Sequence, residues 1–410
     1  MSEEYRSDLD VVLIDGATVV LPDRTIEGGA VRIAGDQIAE VAESRAEIHG
    51  GYDRTIDARG AYLMPGVIDL HNDSLETEIN PRPETDLPLE FALATMERRL
   101  LPFGVTTEFH AMAFMNMARN RRTIQATADR TEYIAGHRCS GRALIDHQVL
   151  HRLDVWSPDS MDAIFESVDQ FPVRYISLND HTPGQGQYRD LEKYLERMVA
   201  WTAARGGAPP DATEIHTRIA TRNADTTTIP SVYNRVRLES DRTPIVIASH
   251  DDDSAAKVDM LWELGARVAE FPITIDAARR ARDRGMWIVV GAPNIVRGGS
   301  SSGNQDAREL FELGLADIIC ADYHAPSLLR SAFRLVADGL LDLPGAIRTL
   351  TYNAARAVGL TDVGAVREGH RADLILVRCD ADAMPIVEAV YRDGREVYTL
   401  NAPQPAGVAS

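Results

Sequence analysis

Cysteine is nearly missing from this chain: Cys139, Cys320 and Cys379 are the only three in 410 residues, and no two form a CxxC pair. That excludes a disulfide framework and a thiolate zinc site, and it fits a reducing compartment. Lysine is scarcer still, with Lys193 and Lys257 alone, so nearly all positive charge is arginine. No apolar run approaches the roughly 18 residues that span a bilayer. The opening MSEEYRSDLD lacks the apolar stretch of a signal peptide. These absences predict a soluble, cytoplasmic protein. Positive charge is also in deficit, 43 basic against 62 acidic residues for a formal net charge of −19. Such a balance disfavours nucleic acid or an anionic membrane as partner. A small anionic substrate stays open, because exposed charges are screened within about 8 Å at physiological salt. Local arginines must then attract it.

What the chain does have is enough apolar residues, 44%, for one large core and a smaller module. Short apolar strands broken by Gly and Asp turns fill residues 11–65 and recur in 364–400. Neither half buries much alone, so the two are expected to pair across the chain ends. This reading gives a small composite β-sandwich-like module from 1–65 and 361–410 and a hydrolase barrel over 66–360. In the middle, apolar strands alternate with helical patterns such as LEFALATMERRLL and SLLRSAFRLVADGLL. Strands are predicted at Val67–Leu70, Val105–Phe109, Ala143–Ile145, Tyr175–Leu178, Ile245–Ala248, Val268–Phe271, Ile288–Val290 and Asp317–Cys320. Eight such strands favour a TIM-like (β/α) barrel. An open doubly wound sheet is the alternative, but no GxGxxG follows the first strand.

Ligand-type side chains follow these strands repeatedly. VIDLHND sets His71 and Asp73 two apart after the first strand, and in an extended segment i and i+2 point the same way. His181 follows the fourth strand in SLNDHTPG, His250 closes PIVIASH, and Asp322 follows the last strand in IICADYHAP. A lone His at a strand end is ordinarily just solvated, and a lone Asp is ordinarily a turn or helix cap. Five of them in register with the C-terminal strand ends, where such barrels carry their sites, predict a divalent metal centre. Zinc suits the mixed donors best, with manganese or iron also compatible, as one ion or two.

MPGVIDLH and the split β module resemble the amidohydrolase superfamily. The strings HNDSLETEINPRP (71–83), DHQVLHRLD (146–154), SLNDHTPGQGQY (177–188), ASHDDD (248–253), AEFPIT (269–274), GAPNIVRGGSSSGN (291–304) and ADYHAPSLL (321–329) resemble more closely the phosphonate-metabolism PhnM family, the α-D-ribose 1-methylphosphonate 5-triphosphate diphosphatases. The resemblance spans nearly the whole chain. It implies that His71, Asp73, His181 and His250 are ligands and that Asp322 is the carboxylate that orients and deprotonates the attacking water. Many relatives bridge two metals with a carboxylated lysine. Lys193 and Lys257 sit in helix-like stretches and do not fit that role, so the family pattern points to Asp154, where relatives carry Glu. His147 and His324 are candidates to lie behind the ligands. The chain departs from the family pattern at Asn72, Ser74, Ser301 and His324.

The implied reaction cleaves a 5-triphosphate to a 5-monophosphate and pyrophosphate. Such a substrate needs cationic clamps. Arg297 leads, with Gly298, Gly299, Ser300 and Ser302 presenting backbone N–H groups as an anion nest, and Arg82 follows. Asp251, Asp252 and Asp253 are expected to cap the next helix. Two other readings stay open: a C–N hydrolase acting on a cyclic amide or a nucleobase, and a non-catalytic scaffold. The first would give Arg297 no obvious task, and the second would be free to lose ligands, yet His71, Asp73, His181, His250 and Asp322 are all present. A homo-oligomer is compatible with all three.

Overall fold

The computed structural model describes residues 10–82, 85–116, 122–180, 192, 194–196, 199–200, 212–299 and 305–400. Five strands open the chain: β1 (Val12–Val20), β2 (Thr25–Ala34), β3 (Gln37–Ala42), β4 (Arg54–Asp57) and β5 (Tyr62–Pro65). Eight more follow, β6 (Val67–Asn72), β7 (Val105–Phe114), β8 (Asp146–Asp154), β9 (Tyr175–Asn179), β10 (Val246–His250), β11 (Val268–Glu270), β12 (Trp287–Gly291) and β13 (Ile318–Cys320). The last three are β14 (Leu374–Cys379), β15 (Pro385–Arg392) and β16 (Arg395–Thr399).

The outer segments do pair. Their sheet runs β16-β15-β14-β5-β1-β2-β3, with β4 also on β1. The join is antiparallel between β5 and β14, where Leu63 faces Leu376 and Pro65 faces Leu374. The middle strands β6 to β13 lie in chain order and pair in parallel, the TIM-like barrel. Its interior holds Ile68, Phe109, Leu150, Tyr175, Val289 and Ile318. Helices cover the outside. The helix Ser327–Ala337, for example, buries Leu328, Ala332 and Leu335 at helical spacing. Among the described residues, no helix is long and apolar enough to cross a membrane.

Two local features set up the barrel mouth. Gly66 precedes β6 where a Cβ would fall 2.2 Å from Thr106 Oγ1, so only glycine lets β6 lie this close to β7. The barrel closes between β6 and β13 through an Asn72–Asp322 bridge, with Asp322 N donating to His71 O at 2.9 Å and Asp73 N to Asp322 O at 2.7 Å. The closing seam therefore lies among the predicted ligands.

The third barrel strand is a correction. It starts at Asp146, directly after the predicted Ala143–Ile145, and runs to Asp154. Asp146, His147, Gln148 and His151 are all buried in it. A parallel strand ordinarily reads as an apolar run, and these buried polar residues hide this one.

Candidate metal centre

Three barrel strands are followed by residues bent into the left-handed region: Asp251 after β10, Phe271 after β11 and Asp322 shortly after β13, with φ of 53°, 54° and 58°. For a residue as bulky as Phe271 that conformation is costly, and its persistence shows that the surroundings hold it. The backbone ladder continues through the bends, since Asp251 N donates to Glu270 O and Phe271 N to Val289 O. The Phe271 ring packs edge-on against both His71 and His250, at 5.2 and 5.3 Å between centroids.

His71, near the end of β6, is 1% exposed. Its Nδ1 faces Glu270 Oε1 at 3.3 Å and its Nε2 faces Asp73 Oδ1 at 3.8 Å. Glu270 is completely buried and well supplied with donors: Tyr175 donates its hydroxyl to Oε1 and Ser177 donates to Oε2 at 2.6 Å. A carboxylate on one imidazole nitrogen fixes the tautomer and turns the other toward an ion. His250 Nδ1 likewise lies 3.0 Å from Asp251 Oδ2.

Asp73 reaches the site by a different route from the predicted extended pair. The strand ends at Asn72, whose Oδ1 accepts from Ser74 N, and Asp73 turns at φ −85°, ψ 0° to lead the helix Ser74–Ile79. The turn still leaves its carboxylate beside His71. Burial would raise the Asp73 carboxyl, but the Arg152 guanidinium and the two imidazoles hold it well below the ordinary range. Burial pushes Asp322 up to about 6, opposed by His71 and helped by Asp73. Burial alone would discharge the His71 ring, yet Glu270 and Asp73 raise it to about 10. A pocket this negative favours a cation.

At the mouth, two triads bring ligand atoms within 4.8 Å of one another: His71, His250 and Glu270, and His71, Asp73 and Asp322; Glu97, His137 and His147 form a third elsewhere. Imidazole nitrogens with carboxylate oxygens match what zinc, manganese or iron accepts. Glu270 and Arg152 escaped the sequence reading. Glu270 closes a short apolar strand and resembles an edge residue there. Arg152 shares a strand face with Asp154, two positions away, and that spacing was the available signal.

The other predicted residues are more dispersed. His181, Ser300 and Ser302 lie outside the described residues, as do Lys193 and Ser301. Asp154, at the end of β8, accepts from Trp156 N at 2.9 Å and belongs to neither triad. His324 is exposed, with Nδ1 2.8 Å from Ser327 Oγ. Arg297 is exposed at the end of the helix Ala292–Arg297, followed by Gly298 and Gly299 at positive φ, and Arg82 is exposed beyond Ser74–Ile79. All three follow strands at the mouth. The helix after β10 is capped by Ser254 rather than by the aspartates. Lys257 donates to His250 O and Asp251 O and lies 3.7 Å from Asp252.

His147 lies elsewhere. It is the second residue of β8, at the far end of the strand from the mouth. There Glu97 Oε1 accepts from His147 Nε2 at 2.8 Å, His137 Nε2 at 3.1 Å and Leu144 N at 2.9 Å. His110 Nε2 stands 2.8 Å from His147 Nδ1.

Comparison with known proteins places this geometry. The amidohydrolase family model matches residues 240–399. The α-D-ribose 1-methylphosphonate 5-triphosphate diphosphatase of Escherichia coli is 32% identical over 389 residues, covering 94% of this chain and all of that one. The chain belongs to the PhnM family of the amidohydrolase superfamily. It is accordingly a metal-dependent hydrolase. A 5-methylthioadenosine/S-adenosylhomocysteine deaminase of Pelotomaculum thermopropionicum is 27% identical, over 89% of this chain and 84% of its own. Among solved structures, N-acetylglucosamine-6-phosphate deacetylase from Pasteurella multocida shares the fold with a TM-score of 0.62 at 12% identity, covering 94% of this chain and 99% of that one.

Proposed function

We propose that this PhnM-family hydrolase cleaves α-D-ribose 1-methylphosphonate 5-triphosphate to the 5-monophosphate and pyrophosphate. The observation that carries the reading is similarity to the Escherichia coli diphosphatase over 94% of this chain and all of that one. His71, His250, Asp73 and Asp322 would hold the ion, with His181 a further ligand by family resemblance and Asp154 a further carboxylate at the mouth. A divalent ion held there lowers the pKa of water to about 7 and polarises a phosphoryl oxygen. Asp322 accepts the proton of the attacking water, a task suited to a carboxyl raised toward neutrality. The water oxygen joins one phosphorus of the α–β anhydride, that P–O bond breaks, and pyrophosphate leaves. Arg82, Arg297 and the Gly298–Ser302 stretch would hold the phosphates. Glu270 keeps His71 in one tautomer throughout.

The deaminase match supports a second reading, a C–N hydrolase using the same centre. Phosphorus NMR of zinc- or manganese-loaded protein with the ribose triphosphate separates the two. Pyrophosphate and a monophosphate resonance are expected. An unchanged spectrum with metal bound, alongside ammonia release from a nucleoside panel, would establish the second reading instead.

A further inference from the structure

We infer that the Arg152 guanidinium stands where a second ion would bind, so that this centre holds one divalent ion. The inference rests on the ligand assignment made above and is independent of the substrate.

Arg152 lies in β8 with its side chain 15% exposed. Its Nη1 donates to Asp73 Oδ1 at 2.8 Å, while Nε and Nη2 reach Asn179 Oδ1 at 3.4 and 3.2 Å. Asn179 is itself fixed, donating from Nδ2 to Ser177 O at 2.9 Å. Ser177 donates to Glu270, and Glu270 faces His71. His71 Nε2 completes the circuit at Asp73. A series of polar contacts thus links β6, β8, β9 and β11, with Arg152 as its permanently cationic member.

A carboxylate that joins two ions must offer oxygen lone pairs to both. Asp73 Oδ1 already faces His71 on one side and the guanidinium on the other. Arginine does not shed its charge in proteins, and here its Nη1 pairs with Asp73 Oδ1 at 2.8 Å. A dication entering beside it would meet a fixed like charge in a poorly screened pocket. Among the described residues neither alternative bridge is in place, since Lys257 is engaged with the His250 and Asp251 carbonyls and Asp154 accepts from Trp156 N and belongs to neither triad. Arginine supplies permanently, within the chain, the positive charge that a second ion would otherwise bring.

The test counts ions. Protein reloaded with excess zinc and desalted is expected to carry one ion per chain by mass spectrometry of the metal, and the manganese form is expected to give the isolated-ion electron resonance spectrum. Arg152→Met should raise the count from one to two, and Arg152→Lys should return it to one. If Arg152→Met fails to fold, Arg152→Gln serves in its place, with two ions again expected. Two ions in the wild-type protein, or a spin-coupled manganese pair, would overturn the inference. So would a folded Arg152→Met or Arg152→Gln that still binds one. No bound ion at all would overturn the ligand assignment and this inference with it.

Discussion

Among the described residues, two clusters of histidine and carboxylate lie on this barrel, and their histidines are shifted in opposite directions. At the mouth, His71 is driven up to about 10, and Asp322, on backbone bent into the left-handed region, up to about 6. At the far end of β8, the histidine shifts reverse. Burial would raise the Glu97 carboxyl, but the His147 and His137 rings and Leu144 N bring it down, while burial holds His147 and His110 neutral. In the second cluster three donors converge on one carboxylate oxygen and the charges are settled among neighbours. In the first, one carboxylate is set against another, the Asp73 charge helping to raise Asp322. A histidine–carboxylate group built for chemistry is recognised by such opposed carboxylates, whereas in the structural one a single carboxylate gathers the donors.

The largest effect that sharpens this contrast is at Asp322. Asp322→Asn should lower kcat about 10³-fold, within the range for loss of a general base, with the melting temperature nearly unchanged. Equal turnover by phosphorus NMR would remove Asp322 from the proton transfer. Glu97→Ala should do the converse. It strands one buried donor, His147, and two half-buried ones, His137 and Leu144 N, at roughly 1 kcal/mol each, so stability should fall by about 3 kcal/mol in urea unfolding. The metal count and the kcat of the folded fraction should stay at wild-type values. A loss of bound metal in Glu97→Ala would erase the distinction between the clusters.

The sequence alone showed the alternation of the barrel and the pairing of the chain ends, because strand period and turn residues are local properties. His71, His250 and Asp322 were legible because each terminates or follows a strand. His147 was misleading for the same kind of reason: a histidine beside a strand looks alike at either end until the strand's start is known, and buried polar residues concealed where β8 begins. Glu270 and Arg152 were illegible for a deeper reason. Their roles depend on partners 199 and 79 residues away, His71 and Asp73, and only the closed barrel creates those pairs.

A smaller effect is expected at Glu270, which belongs to the charged cluster yet serves it indirectly. Glu270→Gln keeps the shape and the acceptor for His71 Nδ1 but removes the negative charge. Metal affinity should fall about 10- to 100-fold, the usual cost of losing such an orienting carboxylate, measured by competition against a zinc chelator. Unchanged affinity would mean that the His71 tautomer is fixed without it.

The smallest effect concerns His151, on the settled side of the comparison. Its ring stacks on Phe114, packs edge-on to Phe171, and donates from Nδ1 to Tyr175 O at 3.1 Å. Burial lowers its pKa to about 4 from an ordinary value of 6.5. Between those values the unfolded chain binds the extra proton, so stability rises with pH there. The contribution is complete above pH 6.5 and disappears as pH falls toward 4. At pH 5 the loss amounts to about 2 kcal/mol. His151→Gln, which retains a hydrogen-bond donor but does not titrate, should flatten the pH dependence of unfolding free energy over that window by nearly one proton. Identical slopes for the two proteins would mean that His151 is already charged when folded, and that the histidines along β8 are less settled than their contacts imply.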